Sequence, residues 1–252
     1  MKEDKTRTSQ TLARGLQVIA CFQDKGIEYG IKDLSDALHL PTTVVSRLVT
    51  TLAEYGYLYQ NSLTKKYGLG MTAYTLGFRA NSNSALQAAA RPVMLQLAQQ
   101  SGETISLNVV NPATMEGVCI ESIESSASVK LTTVVGSVRP LNKGATRKVL
   151  LAYLNDGEWG KYLGSVATKQ VNLDVLKNEL EEIRSRGYAY SEGELDEGAY
   201  AIAAPVLNSS GALLAGIAVA GPLFRLTSEL RKHYVELVLR AAREIQSLMQ
   251  RV

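Results

Sequence analysis

In the run PTTVVSRLVTTL, Thr42, Thr43, Ser46 and Arg47 fall on one side of a helical period, and Val45, Leu48, Val49 and Leu52 on the other. The first set joins methyl groups, hydroxyls and a single guanidinium. Such groups read duplex DNA: methyls meet thymine methyls, hydroxyls bond phosphates or base edges, and arginine pairs with guanine O6 and N7. Lys65 and Lys66, in NSLTKK, are suited to phosphate oxygens, as are Lys5, Arg7 and Arg14. Other chemistry is thin. Glu192, Glu194, Asp196 and Glu197 crowd SEGELDEG with carboxylates. Paired carboxylates can do acid–base work, but no nucleophile or histidine accompanies these, and they read as a solvated loop. Cys21 and Cys119 lie in apolar surroundings and read as buried, reduced thiols. His39 and His233 give no metal-ligand spacing. No metal site, no cofactor and no enzymatic activity are expected.

A DNA-reading helix must be held by neighbours. Residues 1–10 read as a mobile polar arm. SQTLARGLQVIACF has Leu12, Leu16, Ile19 and Ala20 at helical spacing, with Ser9 or Thr11 as cap. After a loop from Gly26 to Gly30, IKDLSDALHL is a second helix with Leu34, Ala37 and Leu38 inward. Leu40-Pro41 makes the turn into the third helix, which Gly56 ends. Two extended pieces, 57–60 and 66–69, flank the polar tip NSLTKK as a hairpin. Three helices and a hairpin form a winged helix-turn-helix.

From Met71 to about Gln100 the pattern is again helical, broken by RANSNSALQAAA, with Arg91-Pro92 near a first turn. Residues 1–75 therefore form the DNA-binding domain, 76–84 a linker and 85–252 a second domain. In the latter, TISLNVV, MEGVCIESIE and VKLTTVVGSVRPL are β-rich, as are YAYSE, YAIAAPVLN and LLAGIAVAG, the last two joined by an NSSG turn. ATRKVLLAYL, NLDVLKNELEEIRSRG and the long stretch beginning at LTSELRKH read as helices. The expected fold is α+β, with a central antiparallel sheet in the second domain.

Bulk properties agree with this but do not demand it. The 252-residue chain carries a net charge of +3, so DNA affinity must come from where charges sit and not from their total. No apolar run approaches the roughly 20 residues of a membrane span, and the charged start MKEDKTRTSQ has no signal-peptide character. A cytoplasmic location follows.

The sequence resembles the IclR family of bacterial transcription regulators from about Ser9 to Gln250. The likeness rests on SQTLARGLQVIACF, LPTTVVSRLVTTLAEYGYL, KKYGLG, RPLNKGATRKVLLAYL, RGYAYSEGELDEGAYAIAAPV and GIAVAGPLFRLT, in that order. It implies a winged helix-turn-helix followed by a GAF-like effector domain. It further implies dimers or dimers of dimers on palindromic operators, small-molecule control of operator binding, and catabolic target genes. Two rivals stand against this reading: an architectural DNA binder without a ligand, and an enzyme built on the second domain.

The resemblance also carries a pocket. A Gly-Ala pair at a helix start, which offers amides to a carboxylate, is replaced by Ala145 and Thr146. A family Asp becomes Ser191, a Cys becomes Ala201, and two Ser become Ala218 and Ala220. Val134 is a further candidate lining residue. With three polar side chains reduced to methyls, a tiny polar acid would lack hydrogen bonds. A larger effector, aromatic or carboxylate-bearing, is expected. Arg147 stands where the family has Gly, and could pair a carboxylate bidentately, point to solvent or salt-bridge a Glu. Charge is also lost on the DNA side: Thr42 stands where a basic residue is common, and Gly68 replaces the Arg of a YRLG wing.

Overall fold

Val18, Phe22, Leu34, Val45, Val49, Leu58 and Tyr67 come from three helices and a hairpin and share one small core. The computed structural model describes residues 8–22, 27–80, 83–165 and 171–250. Lys5, Arg7 and Gly26 lie outside these. The chain divides into two units, Met1–Ser82 and Asn83–Val252.

In the first unit, α1 (Gln10–Ala20), α2 (Ile31–Leu38) and α3 (Thr42–Glu54) precede the hairpin of β1 (Leu58–Gln60) and β2 (Tyr67–Leu69), and α4 (Met71–Arg79) follows. Ser9 caps α1 by accepting the Leu12 N–H. The buried face of α1 is Gly15 and Val18, leaving Leu12 and Leu16 exposed. Ala37, expected inward, is exposed. The short α2 buries Leu34 and Ser35 instead, and the Ser35 hydroxyl donates to the Leu40 carbonyl at 2.6 Å. That bond fixes the turn into α3. α4 docks on the end of α3: the Thr72 N–H donates to the Gly56 carbonyl, and its hydroxyl to that of Tyr55.

The second unit is a six-stranded antiparallel sheet between two helical layers. It comprises α5 (Ser84–Ser101), β3 (Thr104–Asn111), β4 (Glu116–Ile123), β5 (Val138–Pro140), α6 (Ala145–Ala152), α7 (Asp156–Gly164), α8 (Leu173–Arg186), β6 (Ala189–Glu192), β7 (Ala199–Leu207), β8 (Leu213–Pro222) and α9 (Ser228–Met249). The strand order is β5-β4-β3-β8-β7-β6. Ile105, Leu107, Ile202, Val206, Ile217 and Val219 face α5 and α9. The opposite face packs on α6, α7 and α8 through Val149, Leu151, Tyr162, Leu180 and Ile183.

Several expectations need correction. The stretch 76–84 holds the end of α4 and the first residue of α5, with 81–82 outside the described residues. Pro92 is not near a first turn but inside α5, where Ala90, Val93, Met94 and Leu97 are buried. That packing outweighs the one missing hydrogen bond. VKLTTVVGSVRPL yields only the short β5, because its carbonyls are taken elsewhere. Arg225 Nη1 donates to Val129 O, and the Thr104 hydroxyl donates to Leu131 O. The segment is a loop held at the start of β3 and by Arg225 beyond the end of β8. α7 begins with a capping box between Asn155 and Glu158, a spacing the sequence reading passed over.

A Cβ built on Gly70, which precedes α4, would lie 2.2 Å from the Gly56 carbonyl oxygen, a backbone atom that cannot step aside. Gly70→Ala is therefore expected to destabilise the first unit by about 1–3 kcal/mol, measured by denaturant unfolding, with the second unit unaffected.

Candidate functional site

The DNA-facing candidates sit on the first unit's surface. Val45 and Val49 are fully buried, which turns Thr42, Thr43 and Arg47 to solvent, with Ser46 half-buried beside them. Lys65 and Lys66 are exposed at the hairpin tip, and Lys65 adopts a left-handed backbone with φ of 58°.

That tip is built around Glu28. Its carboxylate accepts from the Tyr59 hydroxyl at 2.9 Å, from Asn61 Nδ2 at 2.9 and 3.1 Å, and from the Thr64 hydroxyl at 2.9 Å. Asn61 Oδ1 accepts the N–H groups of Leu63 and Thr64. These bonds, that from Asn61 foremost, hold Glu28 below its ordinary pKa. Gly68 has a physical reason here: a Cβ there would fall 2.7 Å from the Tyr59 ring. The aromatic ring occupies the space an Arg stem would cross. Neither Glu28 nor Tyr59 figured in the sequence reading, since Glu28 meets the tip only through residues 31 to 36 positions away.

The second candidate site lies on the α6 face of the sheet, where strand register sets side chains in rows. Ser191, Ala201, Ala220 and Thr104 form one row, Ala203, Ala218, Ser106 and Ser122 the next, and Pro205, Gly216, Asn108 and Cys119 a third. The β7–β8 half is small-residue, so α6 can lie close: the Thr146 carbonyl oxygen is 3.3 Å from where a Gly216 Cβ would be. Ala218 is buried beneath α6, whereas Ala201 and Ala220 are only partly covered. The β3–β4 half is polar. A bulge between Leu107 and Asn108 lets Ser106 and Asn108 face the same way as Ser122 and Cys119.

Two loops close on this face. One, 124–137, is pinned by the Thr104–Leu131 bond and by the Gly136 N–H donating to the Cys119 carbonyl at 2.7 Å. It carries Val134, which is exposed. The other, 193–198, is held by Glu194, which accepts from the Gly144 N–H at 2.9 Å and from Lys148 Nζ at 2.8 Å. Lys148 also pairs with Glu179 at 2.6 Å. Glu194 is thus not a purely solvated carboxylate, as SEGELDEG had suggested, but a structural anchor. Gly144, with φ of 79°, makes the sharp entry into α6 that an L side chain resists.

At the start of α6, the Ala145 N–H donates to the Ser191 hydroxyl at 2.9 Å, so Ser191 takes up one of the helix-terminal donors. Arg147 neither points to solvent nor pairs with a Glu. It is 7% exposed, its Nε has no hydrogen-bond partner, and it forms no ion pair among the described residues. Burial pushes its pKa down, with the Cys119 thiol, Arg139 and Asp196 as its electrostatic neighbours. Cys119 is fully buried, and burial pushes its thiol up to about 11, so it stays protonated. Cys21, expected buried, is half-exposed. The sequence reading passed over Ser106, Asn108 and Ser122. Their signal was the alternation T-S-N in TISLNVV, which resembles a solvent face until helices cover both sides of the sheet.

Against known proteins, residues 11–62 match the IclR helix-turn-helix domain and residues 78–247 the bacterial transcriptional regulator IclR C-terminal domain. The chain belongs to the IclR family of bacterial transcriptional regulators. It is 29% identical to the HTH-type transcriptional regulator KdgR of Escherichia coli K12, across 98% of this chain and 96% of that protein. It is 25% identical to the transcriptional repressor IclR of the same organism, across 94% and 88%. Its fold matches an IclR family regulator from Brucella abortus (TM-score 0.77, 24% identity, 98% and 95% coverage). It also matches an IclR homolog from Microbacterium hydrocarbonoxydans solved in complex with 4-hydroxybenzoate (TM-score 0.76, 22% identity, 96% and 100% coverage). The protein is therefore a DNA-binding transcription regulator and not an enzyme. Among the described residues no helix is long and apolar enough to cross a membrane.

Glu28→Gln removes a negative charge from the DNA-binding unit, which electrostatics alone would reward with tighter binding. If Glu28 instead shapes the tip, the variant binds operator DNA more weakly at pH 7 in fluorescence anisotropy. Because the folded pKa is depressed, the Glu28 contribution is complete above the ordinary carboxylate value and fades as pH falls through it toward the lowered one. Hydrogen-exchange protection at residues 61–66 in the two proteins should therefore converge only once the pH has fallen through the lowered value.

Proposed function

We propose that α3 enters the major groove of an operator, with Thr42, Thr43, Ser46 and Arg47 at base edges and phosphates, while Lys65 and Lys66 touch the backbone. Exposure of this uncharged hydroxyl-and-methyl face, with Arg47 as its one guanidinium, is the observation that carries the reading. The effector site is the α6 face, bounded by Ala145, Thr146, Arg147, Ser191, Ala201, Ala220 and Val134, with Ala218 as the packed floor beneath the helix. The effector is a small organic molecule with an apolar, aromatic body. The methyl-lined rows support this, and a relative of the same fold is named as binding 4-hydroxybenzoate. The functional domains correspond to residues 1–75 and 85–252, joined through 76–84. The protein acts in the cytoplasm as a homodimer or dimer of dimers, on catabolic genes. The effector controls operator affinity through unequal affinity for the DNA-competent and DNA-incompetent states.

With Arg absent from position 68, phosphate contact rests more heavily on the tip lysines. The double variant Lys65→Ala/Lys66→Ala should flatten the dependence of log affinity on log salt by about one unit per lost contact. An unchanged slope would remove the wing from the interface. Within the effector reading, a true effector at one hundred times its dissociation constant adds about 2.7 kcal/mol to the stability of the protein. It also changes operator affinity in the same buffer. A ligand-free architectural protein would show neither.

A further inference from the structure

Leu63, at the tip of the β1–β2 hairpin, is 90% exposed. Other exposed apolar residues of the first unit, such as Leu12 and Leu16 on α1 or Tyr74 and Phe78 on α4, lie along helices. Leu63 lies in a turn. Turns favour Gly, Pro, Asn, Asp and Ser, for backbone reasons that leucine does not share. The loop that carries it is nevertheless fixed at nearly every residue. The Asn61 N–H donates to the Lys66 carbonyl at 2.8 Å, and the Lys65 N–H to the Asn61 carbonyl at 2.9 Å. Asn61 Oδ1 accepts the N–H groups of Leu63 itself and of Thr64. The Thr64 hydroxyl accepts the Lys66 N–H and donates to Glu28, and the Gln60 side-chain amide donates to the Lys65 carbonyl at 2.9 Å. Lys65 takes a left-handed backbone, which a lysine keeps only where its surroundings impose it. A single leucine on a solvated face calls for no explanation. Here an over-determined loop holds one out into solvent, beside two exposed lysines and on the unit that carries α3.

We infer that Leu63 is a wedge: it enters the minor groove beside the bases that α3 reads and partly unstacks one base step. The inference rests on the α3 reading proposed above. The minor groove is about 6 Å wide, too narrow for a hairpin but open to one side chain held at its apex. Apolar side chains that enter it part the stacked bases and kink the duplex toward the major groove. The insertion needs a rigid support, because a mobile loop would yield before the stack does, and the Asn61, Thr64 and Glu28 bonds supply it. It also needs anchors on the phosphates that wall the groove, and Lys65 and Lys66 supply those. Position 68 contributes no guanidinium, since a side chain there would meet the Tyr59 ring. The wing therefore reads how easily a step opens, and not the donors and acceptors on its edge. Pyrimidine–purine steps open most easily. A TA or CA/TG step at a fixed spacing from the α3 contacts follows.

The test uses duplexes that the full-length protein selects from a randomised library. The selected duplex is then remade with 2-aminopurine at successive flanking positions, since this base fluoresces more strongly when it is unstacked. The parent protein should raise the signal at one flanking step and bend the duplex, as read by energy transfer between its ends. Leu63→Ser should lose the signal, the bend and the preference for a pyrimidine–purine step. Its dependence of log affinity on log salt should stay unchanged, because no charge is removed. Leu63→Met, unbranched and apolar, should keep all three. Both variants change a side chain that is almost wholly in solvent, so folding is not at stake. A parent protein that unstacks no flanking step, or a serine variant that keeps the signal and the step preference, would overturn the inference. So would a serine variant whose only change is its mass in ultracentrifugation, which would make Leu63 a contact between copies of the chain. The two levels separate cleanly. If Arg47→Ala alters the selected bases while Leu63→Ser changes nothing, the α3 reading stands and the wedge falls. If the parent protein selects no common sequence, the α3 reading falls and takes the wedge with it.

Discussion

The second unit is organised around a charge that its own side chains do not neutralise. Placing the Arg147 guanidinium in the interior has several structural requirements, and each is met by a specific residue. Gly117 leaves room for its stem, Gly216 and Ala218 let α6 settle on the sheet, and Gly144 turns the chain sharply into the helix. Lys148, one residue on, takes the available carboxylates and in doing so ties the 193–198 loop to the helix. A buried, unpaired cation costs stability. The sheet tolerates that cost because its other face packs a separate, largely apolar layer against α5 and α9. Both faces of the sheet pack hydrophobic cores, and the α6 face in addition leaves polar groups unpaired.

The DNA-binding unit shows the complementary choice. Positive charge is absent at Thr42 and Gly68, where it would favour DNA without regard to sequence. In its place the hairpin tip is ordered by Glu28 and its hydrogen-bond partners, with the Tyr59 ring lying over Gly68. A wing that is pre-shaped loses less entropy on contacting DNA than a mobile one, so fixing geometry can offset part of the missing charge.

Much of this fold was legible in the sequence because local signals and tertiary packing agree. The 3.6-residue pattern of α3, the NSSG turn held by Asn208, and Gly187 closing α8 were each readable without coordinates. The readings that failed did so where distant contacts decide. The stretch 129–137 has strand-like residues, but its carbonyls are claimed by Thr104 and Arg225. Pro92 stays helical because α5 is packed on both sides of it in sequence. The candidate site was half legible. Arg147 stood out by its type and place, while Asn108, Ser122 and Ser106 became visible only once register placed them on a covered face. Glu28 was hidden for the same reason, since its partners lie more than 30 residues away.

Under the proposed effector site, Arg147 is held buried at an energetic cost and is not a member of the packing. The most direct measurement is the unfolding free energy of the unliganded protein with Arg147 replaced by Met, which keeps an unbranched side chain and removes the charge. The account predicts that Arg147→Met is more stable than the parent by about 1–4 kcal/mol, as when buried charges give way to apolar side chains. A loss of stability of similar size would mean that the guanidinium supports the fold, and would contradict the account.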